Sequence, residues 1–148
     1  MKVSEILSSK GRKIEMTLAD TRLDAAARQL QESEVGSLLV RDNAGELVGI
    51  LTERDLVVAI AKHADGACAL PVREVMSSTR KCAPDDDLAR VAARMTSERV
   101  RHFVVCQGDL LEGVISIGDV VKQRFDQCQL EVGVLRDYAR AGLAALSR

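Results

Sequence analysis

Gly49 Ile50 Leu51 Thr52 Glu53 Arg54 Asp55 and Gly113 Val114 Ile115 Ser116 Ile117 Gly118 Asp119 are two copies of one pattern. Each sets a glycine, two aliphatics and a hydroxyl residue ahead of an aspartate three positions on. The pattern predicts an apolar strand that ends in a capped helix. Thr52 or Ser116 at the N-cap accepts a hydrogen bond from a first-turn N–H, and Asp55 or Asp119 reaches back to the cap's own N–H. The N–H groups left over, with the positive end of the helix dipole, make an anion site suited to a phosphate. A single corner of this kind is an ordinary capping box worth about 1 kcal/mol to its helix. Two in matching repeats point further.

Working outward, the first half reads as a short amphipathic turn at Val3 to Leu7, a short strand at Lys13 to Leu18, and a helix to about Ser33 with Asp20 and Thr21 at its N-cap. Leu23, Ala26, Ala27 and Leu30 give that helix one apolar face. Gly36 is expected to end it. Ser37 to Val40 is a continuous apolar run, the signature of a strand buried on both faces, and Asp42 Asn43 Ala44 Gly45 is turn chemistry before a strand at Leu47 to Leu51. The helix after Thr52 extends to about Lys62. His63 to Ala67 is the one plausible linker, and Pro71 is expected at the first position of a helical turn through Met76. The second half then repeats the first: Pro84, Asp85 and Leu88 match Ala19, Asp20 and Leu23, and Arg101 to Val105 match Gly36 to Val40. The expected organisation is residues 1–63, a linker 64–70, residues 71–127, and a helical arm 128–148. In the arm Leu135, Tyr138, Gly142 and Ala145 fall near one face, Gly133 and Gly142 weaken the helix, and the expected role is packing or dimer formation. Two β-α-β-β-α units that bury their sheets against each other form a pseudo-twofold α/β (α+β) pair with two equivalent clefts.

Composition removes several function classes. A length of 148 residues allows one domain or two small repeats sharing a core, and 47% hydrophobic with 29% charged residues is a globular balance. The aromatics are Phe103, Phe125 and Tyr138, so the core is aliphatic. A net charge of −1 with dispersed basic residues offers no footprint for a nucleic-acid backbone. No apolar run approaches the roughly 18 residues of a membrane span, and the N-terminus lacks a signal peptide's apolar block, so a cytoplasmic location is expected. Cys68, Cys82, Cys106 and Cys128 contain no CxxC and read as reduced thiols. His63 with Cys68 is too small a cluster for zinc. No Ser/His/Asp order, reactive Cys/His arrangement or phosphate loop is present, which argues against an enzyme.

The two corners, the Val75 Met76 lead-in and Arg101 His102 before the central strand together resemble the cystathionine-β-synthase (CBS) domain in tandem, over roughly Val3 to Gln127. The resemblance implies a Bateman module of the small stand-alone bacterial kind, associating as a homodimer. It implies an adenosyl ligand: AMP, ADP, ATP, NAD or its reduced form, or S-adenosylmethionine. By the family pattern Asp55 and Asp119 meet ribose hydroxyls, and Thr52 and Ser116 lie near phosphate. Arg54, Arg101 and His102 are placed for phosphate oxygens, and arginine can meet them with a bidentate fork. Adenine is expected against Met16 and Thr17 or Lys81 and Cys82, with Gly36 and Ser37 letting the backbone approach in one cleft. The chain departs from the pattern at Met16 and Lys81, where many members have threonine, and at Val104, where many have proline. Met16 reads equally as core packing, and Arg54 equally as a helix-face charge. The implied role is an energy or redox sensor that passes a conformational or dimer change to a protein target. A purely structural pair with vestigial clefts is the alternative.

Overall fold

The structure, a computed structural model, describes residues 1–11 and 13–147. Its elements run α1 (Val3–Lys10), β1 (Met16–Leu18), α2 (Leu23–Ser33), β2 (Ser37–Arg41), β3 (Leu47–Thr52) and α3 (Glu53–His63). The second half continues with β4 (Lys81–Cys82), α4 (Leu88–Glu98), β5 (His102–Gln107), β6 (Leu110–Ser116) and α5 (Ile117–Leu146). There are two three-stranded sheets, ordered β1-β2-β3 and β4-β5-β6. In each, the first pair is parallel and the second antiparallel, with Ser37 opposite Thr52 and His102 opposite Ser116. The sheets meet through Leu39, Ile50 and Val104, with Met16 and Val114 packed beside them. Leu38, Leu39 and Val40 are 0%, 1% and 0% exposed, which is why this strand carries no polar alternation. Among the described residues no helix is long and apolar enough to cross a membrane.

The lead-in to each repeat packs on the other one. Val3, Ile6 and Leu7 of α1 are buried with Leu88, Phe103 and Ile115 of the second half, whereas Val72 is buried with Leu23, Leu38 and Leu51 of the first. Residues Ala64–Ala69, within the expected linker 64–70, form a 3-10 helix with Ala67 buried.

This exchange also corrects the expected caps. Neither Asp20 nor Thr21 caps α2; its N-cap is Arg22, with no side-chain bond. The Leu23 N–H donates instead to the Leu70 carbonyl at 2.9 Å, and the Val72 N–H to the Thr21 carbonyl at 2.9 Å. Asp20 is left free to pair with Arg73. The second half does the same with the chain start, where the Leu88 N–H donates to the Met1 carbonyl at 2.9 Å. A remote backbone has satisfied the first-turn donor that a side chain was expected to take.

Helix α2 ends at Glu34, in the left-handed region at φ 53, and not at Gly36; Arg99 ends α4 likewise at φ 54. Pro71 is extended and precedes the 3-10 turn Val72–Glu74, so it stands one position ahead of its expected place. Strand β1 is shorter than the expected Lys13 to Leu18. Helix α5 is a single 30-residue helix running through Gly133.

Candidate functional site

Both corners close as capping boxes, but their acids end differently. At the first, the Asp55 N–H donates to Thr52 Oγ1 at 3.3 Å, and Asp55 Oδ2 accepts from the Thr52 N–H at 2.9 Å and its hydroxyl at 3.0 Å. Ser77 Oγ donates to Asp55 Oδ1 at 2.7 Å, so both carboxylate oxygens are engaged. At the second, the Asp119 N–H donates to Ser116 Oγ at 3.2 Å. Asp119 Oδ2 accepts from the Ser116 N–H at 2.8 Å and from Lys10 Nζ at 2.7 Å. Among the described residues Oδ1 of Asp119 has no hydrogen-bond partner. One corner is closed; the other keeps an open acceptor.

Burial pushes the Asp119 carboxyl upward, yet hydrogen bonds from Lys10 and the Ser116 backbone outweigh it and hold the group below the ordinary 3.8. Asp119 is therefore ionised at neutral pH and able to accept from a sugar hydroxyl.

Beside this corner lies a groove of about 230 Å³ with walls from both repeats. The first repeat supplies Ile14, Gly36, Ser37 and Leu39; the second supplies His102, Val114 and Ser116; Lys10 and Lys13 stand at the rim with Glu15 and Glu34. The floor is aliphatic and the rim charged. The groove lies between the repeats, the position expected for a cleft of a pseudo-twofold pair. Packing the sheets about a pseudo-twofold brings the start of β2 against the end of β6.

Gly36 serves this meeting. A Cβ there would lie 3.4 Å from His102 Nε2, about van der Waals contact, so this position abuts the imidazole of the other repeat with little room between them. Burial pushes the His102 pKa below the ordinary 6.5, opposed by Asp119 and reinforced by Lys10, which leaves the ring neutral at pH 7.

Of the residues singled out in the sequence, Gly36, Ser37, His102 and Ser116 line this groove, and Asp119 bonds two lining residues, Ser116 and Lys10. Thr52 and Asp55 stand at the other corner. Arg54 and Arg101 are exposed, as is Lys81, whose carbonyl accepts from Arg94. Met16 is half-buried in the inter-sheet core and its carbonyl accepts from Gln29. Thr17 and Cys82 are 7% and 6% exposed; the alternation of a strand turns them inward, and burial pushes the Cys82 thiol up to about 12.

Lys10, Lys13 and Ile14 line the groove although the motifs do not carry them. One signal for them exists. Val3 Ser4 Glu5 Ile6 Leu7 Ser8 Ser9 is echoed by Val72 Arg73 Glu74 Val75 Met76 Ser77 Ser78. That echo marks the lead-ins as part of each repeat and aligns Lys10 with Thr79.

The fold and this doubled corner define a tandem pair of CBS domains, and the chain belongs to the CBS-domain family. The family model for the CBS domain matches residues 3–62 and 72–126. The chain is similar to a CBS-domain-containing protein from Agrobacterium tumefaciens, at 35% identity and a TM-score of 0.81, covering 83% of this chain and 92% of that one. A CBS-domain signal-transduction protein from Burkholderia ambifaria, described as putative, matches at 33% identity and a TM-score of 0.78, over 83% of this chain and 93% of that one. A CBS-domain protein from Pyrobaculum aerophilum, solved in complex with AMP, shares the fold at 24% identity and a TM-score of 0.71, over 80% of this chain and 89% of that one. The mitochondrial CBS-domain-containing protein CBSX3 of Arabidopsis thaliana is 29% identical over 150 residues, covering 95% of this chain and 72% of that protein. CBS-domain pairs are, in general, regulatory modules that bind adenosine ligands.

Proposed function

We propose that the groove between the repeats binds the adenosyl part of a nucleotide (AMP, ADP, ATP or NAD(H), with S-adenosylmethionine as a variant). Binding then changes the relative angle of the repeats or a dimer contact, and so signals to a cytoplasmic protein target without catalysis. The observation that carries this reading is the coincidence, in and directly beside one groove, of three unlike surfaces. Ile14, Leu39 and Val114 suit a flat apolar base, the open Oδ1 of Asp119 suits a ribose hydroxyl, and Lys10 and Lys13 suit phosphate. The groove volume of about 230 Å³ is below the roughly 300–1,000 Å³ of pockets that enclose a whole ligand, so phosphates extend past the rim. The AMP held by the Pyrobaculum relative supports the ligand class.

The second reading is a structural pair with vestigial sites, and one observation favours it: Lys10 already occupies the Oδ2 of Asp119. The two readings separate in a thermal-unfolding panel of AMP, ATP, NAD, its reduced form and S-adenosylmethionine. A ligand at a hundred times its Kd adds about 2.7 kcal/mol, a rise of roughly 6–10 °C for a chain of this size. Five flat responses at millimolar concentration select the structural reading.

His102 adds a pH signature. A phosphate seated beside the neutral ring raises its pKa, so the complex takes up a proton that the free protein does not hold. Affinity for AMP is therefore expected to rise as pH falls from about 7.5 to 6, spanning the ordinary histidine value. Affinity for adenosine is expected to stay flat. Calorimetry in buffers of different ionisation enthalpy measures the uptake, and identical pH profiles for AMP and adenosine remove His102 from the phosphate.

A further inference from the structure

We infer that α5, from Val121 to Leu146, forms a parallel two-stranded coiled coil with a second copy of this chain. The inference does not depend on nucleotide binding. Beyond Val120 every described residue of α5 is exposed except Gln123, which is half-exposed. The exposed set includes Phe125 at 61%, Leu135 at 67% and Leu146 at 85%. Nothing is packed on the apolar side chains of this segment, although helical stability in proteins comes chiefly from the packing of an apolar face.

The spacing identifies the partner. Val121, Cys128, Leu135 and Gly142 recur every seven residues, and Phe125, Val132, Ala139 and Leu146 fill the alternating 4-3 positions between them. This is one unbroken a/d seam over almost four heptads, the repeat that supercoils two helices. Val132 at a with Leu135 at d is the choice that favours two parallel strands. Leu130 and Val134 lie outside the seam.

The flanks set the orientation. Glu131 falls at g and Arg136 at e of the next heptad, the two positions that face each other between parallel, in-register helices. Twofold symmetry makes the pair twice. Among the described residues neither has an ion-pair partner within its own chain. An antiparallel pair sets g against g and e against e, and loses the match.

The test uses the full chain, and every altered side chain is exposed, so the fold of each half is not at risk. Sedimentation equilibrium is expected to give a dimer, with Leu135→Arg raising its dissociation constant by about tenfold or more through a charge in the seam. Glu131→Lys and Arg136→Glu each weaken it, and the double variant restores it. In a Cys68→Ser background mild oxidation links the two copies through Cys128, which sits at a d position against its own equivalent. A monomer at all concentrations, or a dimer that ignores Leu135→Arg and forms no Cys128 link, overturns the inference.

Discussion

Gly49→Ala is expected to lower the melting temperature by about 6–12 °C, from a loss of about 2–3 kcal/mol. A Cβ at Gly49 would lie 2.6 Å from Met76 Sδ and 2.9 Å from the Ser77 carbonyl oxygen. The thioether could swing aside, but the carbonyl cannot. Ser77 and Ile50 exchange two backbone hydrogen bonds at 2.9 Å each, so the residue beside the new methyl is pinned to the very strand that carries it. The adjoining turn is held as well, by the Met76 N–H to the Val72 carbonyl at 2.8 Å. Gly113→Ala is the internal control. There the contact at 2.8 Å is a Leu7 methyl, the end of a side chain that is only 1% exposed, and no backbone atom is as close. Its cost is about 1 kcal/mol, at the low end of overpacking. Scanning calorimetry of both variants checks the order. A Gly49 variant melting within about 2 °C of the parent, under 1 kcal/mol at this size, would mean the 72–78 lead-in does not sit on β3.

That seat explains which features could be read from sequence. The corners at Thr52 and Ser116 are local: cap, acid and following helix lie within four residues, and both form as the pattern requires. The buried run Leu38 to Val40 is local too. The caps of α2 and α4 are not, because the groups that satisfy Leu23 and Leu88 are the carbonyls of Leu70 and Met1, set by tertiary exchange of the lead-ins. The continuity of α5 was obscured for another reason. Gly133 costs about 1 kcal/mol relative to alanine, yet it interrupts neither the hydrogen-bonded run nor the 4-3 spacing of its neighbours.

The groove was only half legible. Ser116 and Asp119 follow from the corner and Gly36, Ser37 and His102 from the family resemblance, whereas Ile14 reaches them across the pseudo-twofold, a relation that linear spacing does not encode. Thr17 and Cys82 are buried and do not line this groove, and β1 and β4 are three and two residues long, too short for alternation to reveal which face is inward. Lys10 sits at the end of α1 and reaches Asp119 only because α1 packs on the second repeat.

Asp119→Ala is therefore expected to do two separable things, while Asp55→Ala does one. Both variants lose the acid of a capping box, about 0.5–1 kcal/mol of helix stability. Asp119→Ala also releases Lys10, a pair at 2.7 Å whose lysine side chain is 35% exposed, so its share is a surface-like 0.2–1 kcal/mol, roughly. The carboxyl's pKa lies below 3.8 in the folded chain, so its stabilisation is complete above that value and lost as pH falls through the lower folded one. The melting difference between parent and Asp119→Ala is full at pH 7 and shrinks on acidification below about pH 4, the ordinary carboxylate range. The binding effects diverge. Asp119 keeps one unengaged oxygen beside the groove, and losing a hydrogen bond to a charged group costs about 1–3 kcal/mol, roughly 5- to 150-fold in AMP affinity. Both oxygens of Asp55 are held by Thr52 and Ser77, and it stands at the other corner, so Asp55→Ala is expected to leave that affinity within about twofold, the scale of a few tenths of a kcal/mol. Titration calorimetry of the two variants with AMP decides the matter. Equal losses would mean that both clefts bind, and no loss in either, with both folds intact, would take the acids out of ligand binding and leave them as helix caps.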